Sequence, residues 1–336
     1  MMFGMQKSSK SLKIMKKVYI LLIALLPFIP VHSQKTSPRF SYSIGSWDAQ
    51  IVSFDHLYPT YLADPLGIRL EVSIQHMLYS DMDFEDQINK GGGYLGNYMI
   101  NPGVRASFLK FSPKSNPKLG ISFDLGVTIP LIMRASNNDL IDVDGIYYFA
   151  IAAKPTEWLS LRFSKHHIST HIGDEFSYGD VSSPIDFDPN ITQLPVRDDF
   201  FVSAAARPLW FLHNPQWDIL QVYGDFGFFL PGGDFMGTRK NKPYYEAYFN
   251  FQGGAELEYY FKNRFFGGFY SAVNVSAYQM NAYAPNISVT GGYIFPQERN
   301  SRRLRIGFNY YNGRSLSNQF YNRKEKFIAF IVGFDI

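Results

Sequence analysis

From residue 68 onward the chain alternates between apolar and polar positions. Leu70, Val72 and Ile74 interleave with Arg69, Glu71, Ser73 and Gln75. Leu119, Ile121, Phe123, Leu125, Val127 and Ile129 interleave with Gly120, Ser122, Asp124, Gly126 and Thr128. Leu220, Val222, Phe226 and Phe228 do the same with Gln221, Tyr223, Asp225 and Gly227. A period of two sustained over ten or so residues marks a strand with one apolar face. About twelve such segments are expected, over 68–79, 97–109, 119–130, 145–154, 157–168, 197–208, 217–229, 246–261, 265–277, 286–295, 302–311 and 326–336.

The connections sharpen this picture. Compact turns at Ser112–Lys118, Lys154–Thr156, Lys262–Arg264 and Gln297–Ser301 alternate with mostly longer stretches around 80–96, 131–144, 169–196, 230–245, 278–285 and 312–325. Short turns on one side and long loops on the other are the habit of outer-membrane barrels with both termini in the periplasm. The last segment carries Phe330, Val332, Phe334 and Ile336 on one face and resembles the C-terminal assembly signal of such barrels. The expected fold is all-β: a single antiparallel transmembrane β-barrel of about 12 strands over 66–336, with short periplasmic turns and longer extracellular loops. Residues 34–65, with Ile51, Phe54, Leu57, Pro59 and Pro65, form a periplasmic lead-in or a plug.

Composition agrees. Aromatic residues make up 17% of the chain, nearly matching the charged fraction of 18%, which suits strands with aromatic girdles such as Tyr147, Trp158, Trp210, Trp217 and Tyr259. Mean hydropathy is only −0.14 because half of each strand is polar. The absence of cysteine removes disulfides, thiolate metal sites and a cysteine nucleophile. Lys7, Lys10, Lys13, Lys16 and Lys17 precede the apolar run Val18–Ile29, so residues 1–33 read as a signal peptide for secretory export. Its loss turns a chain of net charge +3 mildly acidic, which gives no support to a nucleic-acid partner. The partners implied are outer-membrane lipid and, through the last strand, the barrel-assembly machinery of a Gram-negative cell.

Candidate chemistry concentrates in Ser164-Lys165-His166-His167-Ile168-Ser169-Thr170-His171-Ile172-Gly173-Asp174-Glu175-Phe176, which holds three of the seven histidines. Leu159, Leu161 and Phe163 share parity with Lys165, His167, Ser169 and His171, so without a bulge these polar groups project outward above the apolar band. His167 and Ser169 can act as a base and nucleophile if a third group orients the ring; Asp174, Glu175 and Asn312 are candidates. His171, Asp174 and Glu175, with His167, have the ligand types for zinc, and the adjacent carboxylates those for calcium; no other cofactor is evident. A third reading is a rim network in which imidazoles and carboxylates tie the long loop to the barrel, with Gly173 at the turn. Asp124 and Asp225 are expected in a lumen network with Arg105 or Arg162, and Arg302, Arg303 and Arg305 as interfacial anchors.

Leu62-Ala63-Asp64-Pro65, the block from His167 to Phe176, and Asn312-Gly313-Arg314-Ser315 with Gln319-Phe320-Tyr321 resemble a bacterial family known as domain of unknown function 1207, from about residue 50 to the end. That resemblance implies a fold and no activity. Thr170 stands where the family pattern has Ser. The spacing His167-x-Ser169 is similar to that of the outer-membrane phospholipase A and lipid A deacylase barrels, which implies acyl-ester hydrolysis from the lipid-facing side and, for the phospholipase, twelve strands. Thr170 replaces the Asn that follows Ser in those enzymes. The alternatives for this barrel are thus a protein with no reaction of its own, a cell-surface lipid-ester hydrolase and a narrow substrate-specific channel.

Overall fold

A computed structural model describes residues 40–80, 96–135, 138–173, 197–213, 219–229, 249–263, 266–296, 303–321 and 323–335. The expected leader over 1–33 and the residues Asp174 and Glu175 lie outside them. Sixteen strands are formed: β1 (Phe40–Ile44), β2 (Trp47–Ser53), β3 (Leu70–Ser80), β4 (Asn97–Pro102), β5 (Val104–Pro113), β6 (Gly120–Thr128), β7 (Leu131–Arg134), β8 (Leu140–Lys154), β9 (Leu159–Ile172), β10 (Arg197–Ala206), β11 (Leu220–Phe229), β12 (Phe249–Tyr260), β13 (Gly268–Tyr278), β14 (Pro285–Ile294), β15 (Arg303–Arg314) and β16 (Lys324–Asp335). β4 and β5 are two halves of one wall strand, interrupted at Gly103, and β6 and β7 are halves of another, interrupted at Ile129 and Pro130. Proline has no amide hydrogen to offer the ladder, and here the Pro130 carbonyl accepts from the Asp144 amide instead. Every neighbouring pair is antiparallel, β8 joins β9, and β16 joins β3, so twelve wall strands close into a barrel.

The polarity of the wall is inverted relative to a soluble barrel. On β3 the apolar Leu70, Val72 and Ile74 are exposed, whereas Glu71, Ser73 and Gln75 are buried. The same inversion holds on β6, where Ile121, Phe123, Leu125 and Val127 face out and Ser122, Asp124 and Thr128 face in. An apolar exterior around a polar interior is what lipid requires of a spanning barrel. The expected long loop over 131–144 is a correction: β7 and the start of β8 extend the wall, and residues 135–139 are all that connects them. Leu131 to Met133 pair with β4 as well as β8, so ladder bonds on both sides hold them extended. We call the side bearing residues 114–119, 155–158 and 261–267 the turn end, and the opposite side the loop end.

The residues before the barrel divide in two. β1 and β2 form a hairpin whose second strand pairs with β5, on the same edge of that wall strand that β3 occupies higher up on β4. Residues 54–69 then enter the lumen. They form no strand, and wall side chains together with the segment's own Arg69 satisfy their carbonyls. Ser160 Oγ donates to the Leu57 carbonyl at 2.8 Å and Arg105 Nη1 to that of Tyr58 at 2.8 Å. Arg69 donates to the carbonyls of Tyr61 and Asp64, both at 2.7 Å, and Asn101 Nδ2 to that of Gly67 at 3.0 Å. The Leu62 amide donates to the buried Glu256 carboxylate.

Side chains seat the segment as firmly. Tyr61 stacks on Tyr223 with ring centroids 3.6 Å apart, its hydroxyl donates to Asp225 Oδ1 at 2.6 Å, and the Arg162 guanidinium lies over the Tyr58 ring at 4.4 Å. Burial pushes the Tyr58 and Tyr61 hydroxyls well above the usual phenol range, so both remain neutral. Asp225, Arg105 and Arg162 therefore do share the lumen, but their partners lie on the inserted segment. From the loop end, residues 315–321 fold inward, placing Leu316 and Phe320 against Met77, Met99, Ile132, Ile141 and Phe327.

Arg303 and Arg305 are a second correction. Arg303 pairs with Glu258 and, at 3.2 Å, with Asp335; Arg305 is fully buried and bonds Glu71 at 2.5 Å. They belong to a lumen ion network with Arg69, not to the membrane interface. Their odd positions on β15 share parity with the inward Asn309 and Tyr311, which overrides their closeness to a turn.

Candidate functional site

The β9 strand runs without a bulge past Leu161, Phe163, Lys165, His167, Ser169 and His171, so all six face outward as parity requires. Leu161 and Phe163 sit in an apolar belt with Phe149, Ile151 and Val202, and Phe163 stacks on Phe200. Directly above that belt the surface becomes polar. His167 stands across from Tyr147 on one neighbour and Asp198 on the other. Its ring stacks on Tyr147 with centroids 4.7 Å apart, and its Nδ1 lies 2.8 Å from Asp198 Oδ1. The other Asp198 oxygen is 3.3 Å from Lys165 Nζ, which explains how a lysine is tolerated on this face. A carboxylate at Nδ1 fixes the tautomer and leaves Nε2 to exchange protons.

Ser169 is half-buried and faces Gly145 across the β8–β9 ladder. A Cβ at position 145 would lie 3.0 Å from Ser169 Oγ, so glycine keeps the space beside the hydroxyl open. No hydrogen bond joins Ser169 to His167 among the described residues; in unliganded enzymes that contact is commonly long and tightens on substrate binding. Two residues apart on one face, the groups are within reach of each other through modest side-chain rotation.

Asp198 is the residue that sequence reading missed. It lies 31 positions beyond His167 and meets it only through strand register. A signal was present: Asp198 interrupts the outward apolar series of Phe200, Val202 and Ala204, as His167 interrupts that of Leu161 and Phe163. Two charge-capable residues breaking the apolar parity of consecutive strands at one height are neighbours by construction.

The remaining candidates separate. Asn312 is exposed on β15, paired with Ile287 and Lys326. β15 stands six strands from β9 in either direction round the ring, so Asn312 cannot orient His167. The assignment failed because two loops on the same rim of a twelve-stranded barrel can still be diametrically opposed. His171 faces outward beside Val143, and among the described residues no three His, Asp or Glu side chains gather as metal ligands. Gly173 serves a close approach: a Cβ there would meet the Leu140 carbonyl oxygen at 1.9 Å.

On the inward face of the same strand His166 is half-buried. Its Nε2 lies 3.0 Å from Ser164 Oγ, and its ring packs against Tyr148 and Phe201. It lines a lumen cavity of about 150 Å³ floored by Tyr61, Asp64 and Leu66 and reaching Leu316 and Asn318 at the loop end.

No family profile and no curated protein sequence matches the chain. Solved structures do. Outer membrane phospholipase A from Escherichia coli matches with a TM-score of 0.47 at 10% identity, covering 84% of this chain and 96% of that one. The NanC porin matches at 0.41 and 10% identity, covering 80% of this chain and 100% of its own. The toluene transporter TodX of P. putida matches at 0.32 and 13% identity, covering 88% and 80%. The transmembrane barrel fold rests on the closed ring of twelve wall strands and its apolar exterior; with TM-scores below 0.5, these likenesses add no argument.

Proposed function

We propose that this barrel is a lipid-ester hydrolase of the outer membrane, exported through its leader and inserted with the loop end at the cell surface. The observation that carries the reading is Asp198 Oδ1 at 2.8 Å from His167 Nδ1, on the outward face that Ser169 shares. Ser169 Oγ attacks an ester carbonyl while its proton passes to His167 Nε2; Asp198 stabilises the imidazolium. The imidazolium then protonates the leaving alkoxide. Water, giving its proton to the same nitrogen, releases the fatty acid and restores the serine.

Position supports the choice of substrate. The group sits at the upper edge of an aromatic and aliphatic belt, the height at which a lipid's ester linkage meets its headgroup. The lumen, occupied by residues 54–69 from one end and 315–321 from the other, counts against the narrow-channel alternative. The motif residues given above resemble those of the domain-of-unknown-function-1207 barrels, and membership of that family is part of the proposal. Calcium or zinc at His171, Asp174 and Glu175 stays a proposal for the outward loop.

The test uses purified full-length protein in mixed micelles of detergent and phospholipid, with release of fatty acid as the readout. Wild type is expected to turn over, with Ser169→Ala and His167→Ala each slower by about 10³-fold or more. Absence of release by wild type, with and without added calcium, sinks the reading. So does a Ser169→Ala protein as active as wild type.

A further inference from the structure

The lumen face of the β8–β9 pair holds an unbalanced charge. Asp142 and Asp144 are each 1% exposed and lie two residues apart on the inward face of β8. Thr170 Oγ1 donates to Asp142 Oδ1 at 3.0 Å. From the inward-folded loop, the Asn318 amide and its Nδ2 donate to Asp144 Oδ2 at 3.1 and 2.8 Å. These contacts leave Asp142 Oδ2 and Asp144 Oδ1 unbonded. Independently, the Ser317 hydroxyl, 1% exposed, faces Asp142 without closing a hydrogen bond of normal geometry. No lysine, arginine or histidine forms an ion pair with either carboxylate among the described residues.

Two neighbouring carboxylates out of water stay ionised only beside a compensating positive charge; without one they hold a proton between them. The oxygens gathered there are two carboxylates and two hydroxyls, while Asn318 turns N–H groups toward Asp144. That set suits a hard cation and lacks the nitrogen and sulfur ligands zinc favours. Calcium takes six to eight oxygens in flexible arrangement, whereas magnesium demands a regular octahedron and retains water. The lumen cavity reaches Asn318 and Ile168 and offers a route in. We propose that Asp142, Asp144, Thr170 and Ser317 bind a calcium ion that fastens the inward residues 315–321 to the β8–β9 pair, on the opposite face of the wall from Ser169.

This site does not depend on the hydrolase reading, and its test needs no substrate. Full-length protein in detergent, stripped with a chelator, is titrated with calcium by calorimetry and with terbium by luminescence. Saturable uptake is expected at one lumen site, with an upward shift in Tm and weaker uptake of magnesium. Asp142→Asn combined with Asp144→Asn is expected to abolish that uptake, and Ser317→Ala, which removes one ligand and keeps both charges, to weaken it about tenfold. Folding is followed by the barrel's mobility on unheated gels. No uptake at millimolar calcium overturns the proposal in favour of a single proton shared by the two carboxyls. Uptake unchanged in the folded double variant, or in Ser317→Ala should the double variant not fold, overturns it too and moves the ion elsewhere.

Discussion

The two faces of β9 carry the same residue types in opposite states. Inward, Ser164 and His166 are already hydrogen-bonded, and the serine is wholly enclosed. Outward, Ser169 and His167 are unbonded to each other, yet the imidazole has a carboxylate behind it. The neighbouring strand repeats the division. Asp198 goes to His167 outside, while Asp199, opposite His166 in the register, lies 2.6 Å from Arg197 inside. A serine–histidine hydrogen bond is therefore a poor guide to reactivity here. What distinguishes the outer pair is an orienting acid and open space beside the hydroxyl.

Exchanging the acids is the sharpest way to break this contrast. Asp198→Asn is expected to lower kcat by about 10²- to 10⁴-fold with little change in KM, because the amide favours the wrong tautomer. Asp199→Asn strips the charge from a buried pair and is expected to cost about 3 kcal/mol of stability while sparing the rate per folded molecule. Thermal unfolding together with micelle kinetics reads both; equal rate losses in the two variants would erase the distinction between the faces. A smaller effect is expected at Gly145. The new methyl of Gly145→Ala crowds Ser169 Oγ, and turnover should fall about tenfold with Tm nearly unchanged. Smallest is Lys165→Met. Its ion pair with Asp198 is solvent-exposed, so Tm and rate should each move by the equivalent of less than about 1 kcal/mol. A large rate loss there would show that the lysine, and not merely the imidazole, governs Asp198.

Strand parity made much of this readable in advance. Leu161, Phe163 and their partners placed His167 and Ser169 on the outer face because the two-residue period survives wherever no bulge intervenes. The twelve wall strands were legible for the same reason. Arg303 and Arg305 could have been placed by that rule too, had their strand been weighed above their turn. Other features were not written locally. Residues 54–69 follow no period, since their carbonyls are met by Ser160, Arg105 and Asn101 scattered over the wall and by the segment's own Arg69. Asn312 was eligible as a partner for His167 and Asp198 was overlooked; only ladder order separates a neighbour from the far side of a ring.

The hairpin of β1 and β2 also bears on how the barrel assembles. Because β2 and β3 grip the same edge of one wall strand, residues 54–69 are a loop tethered at both ends beside the seam where β3 meets β16. That seam joins the first and last strands of the ring, so in a chain folding from its N-terminus it is the pairing with the greatest entropic cost and forms last. The loop is consequently shut in by the same step that seals the wall. The vessel is loaded before it is closed, and once closed it has no free end by which the load could be drawn out.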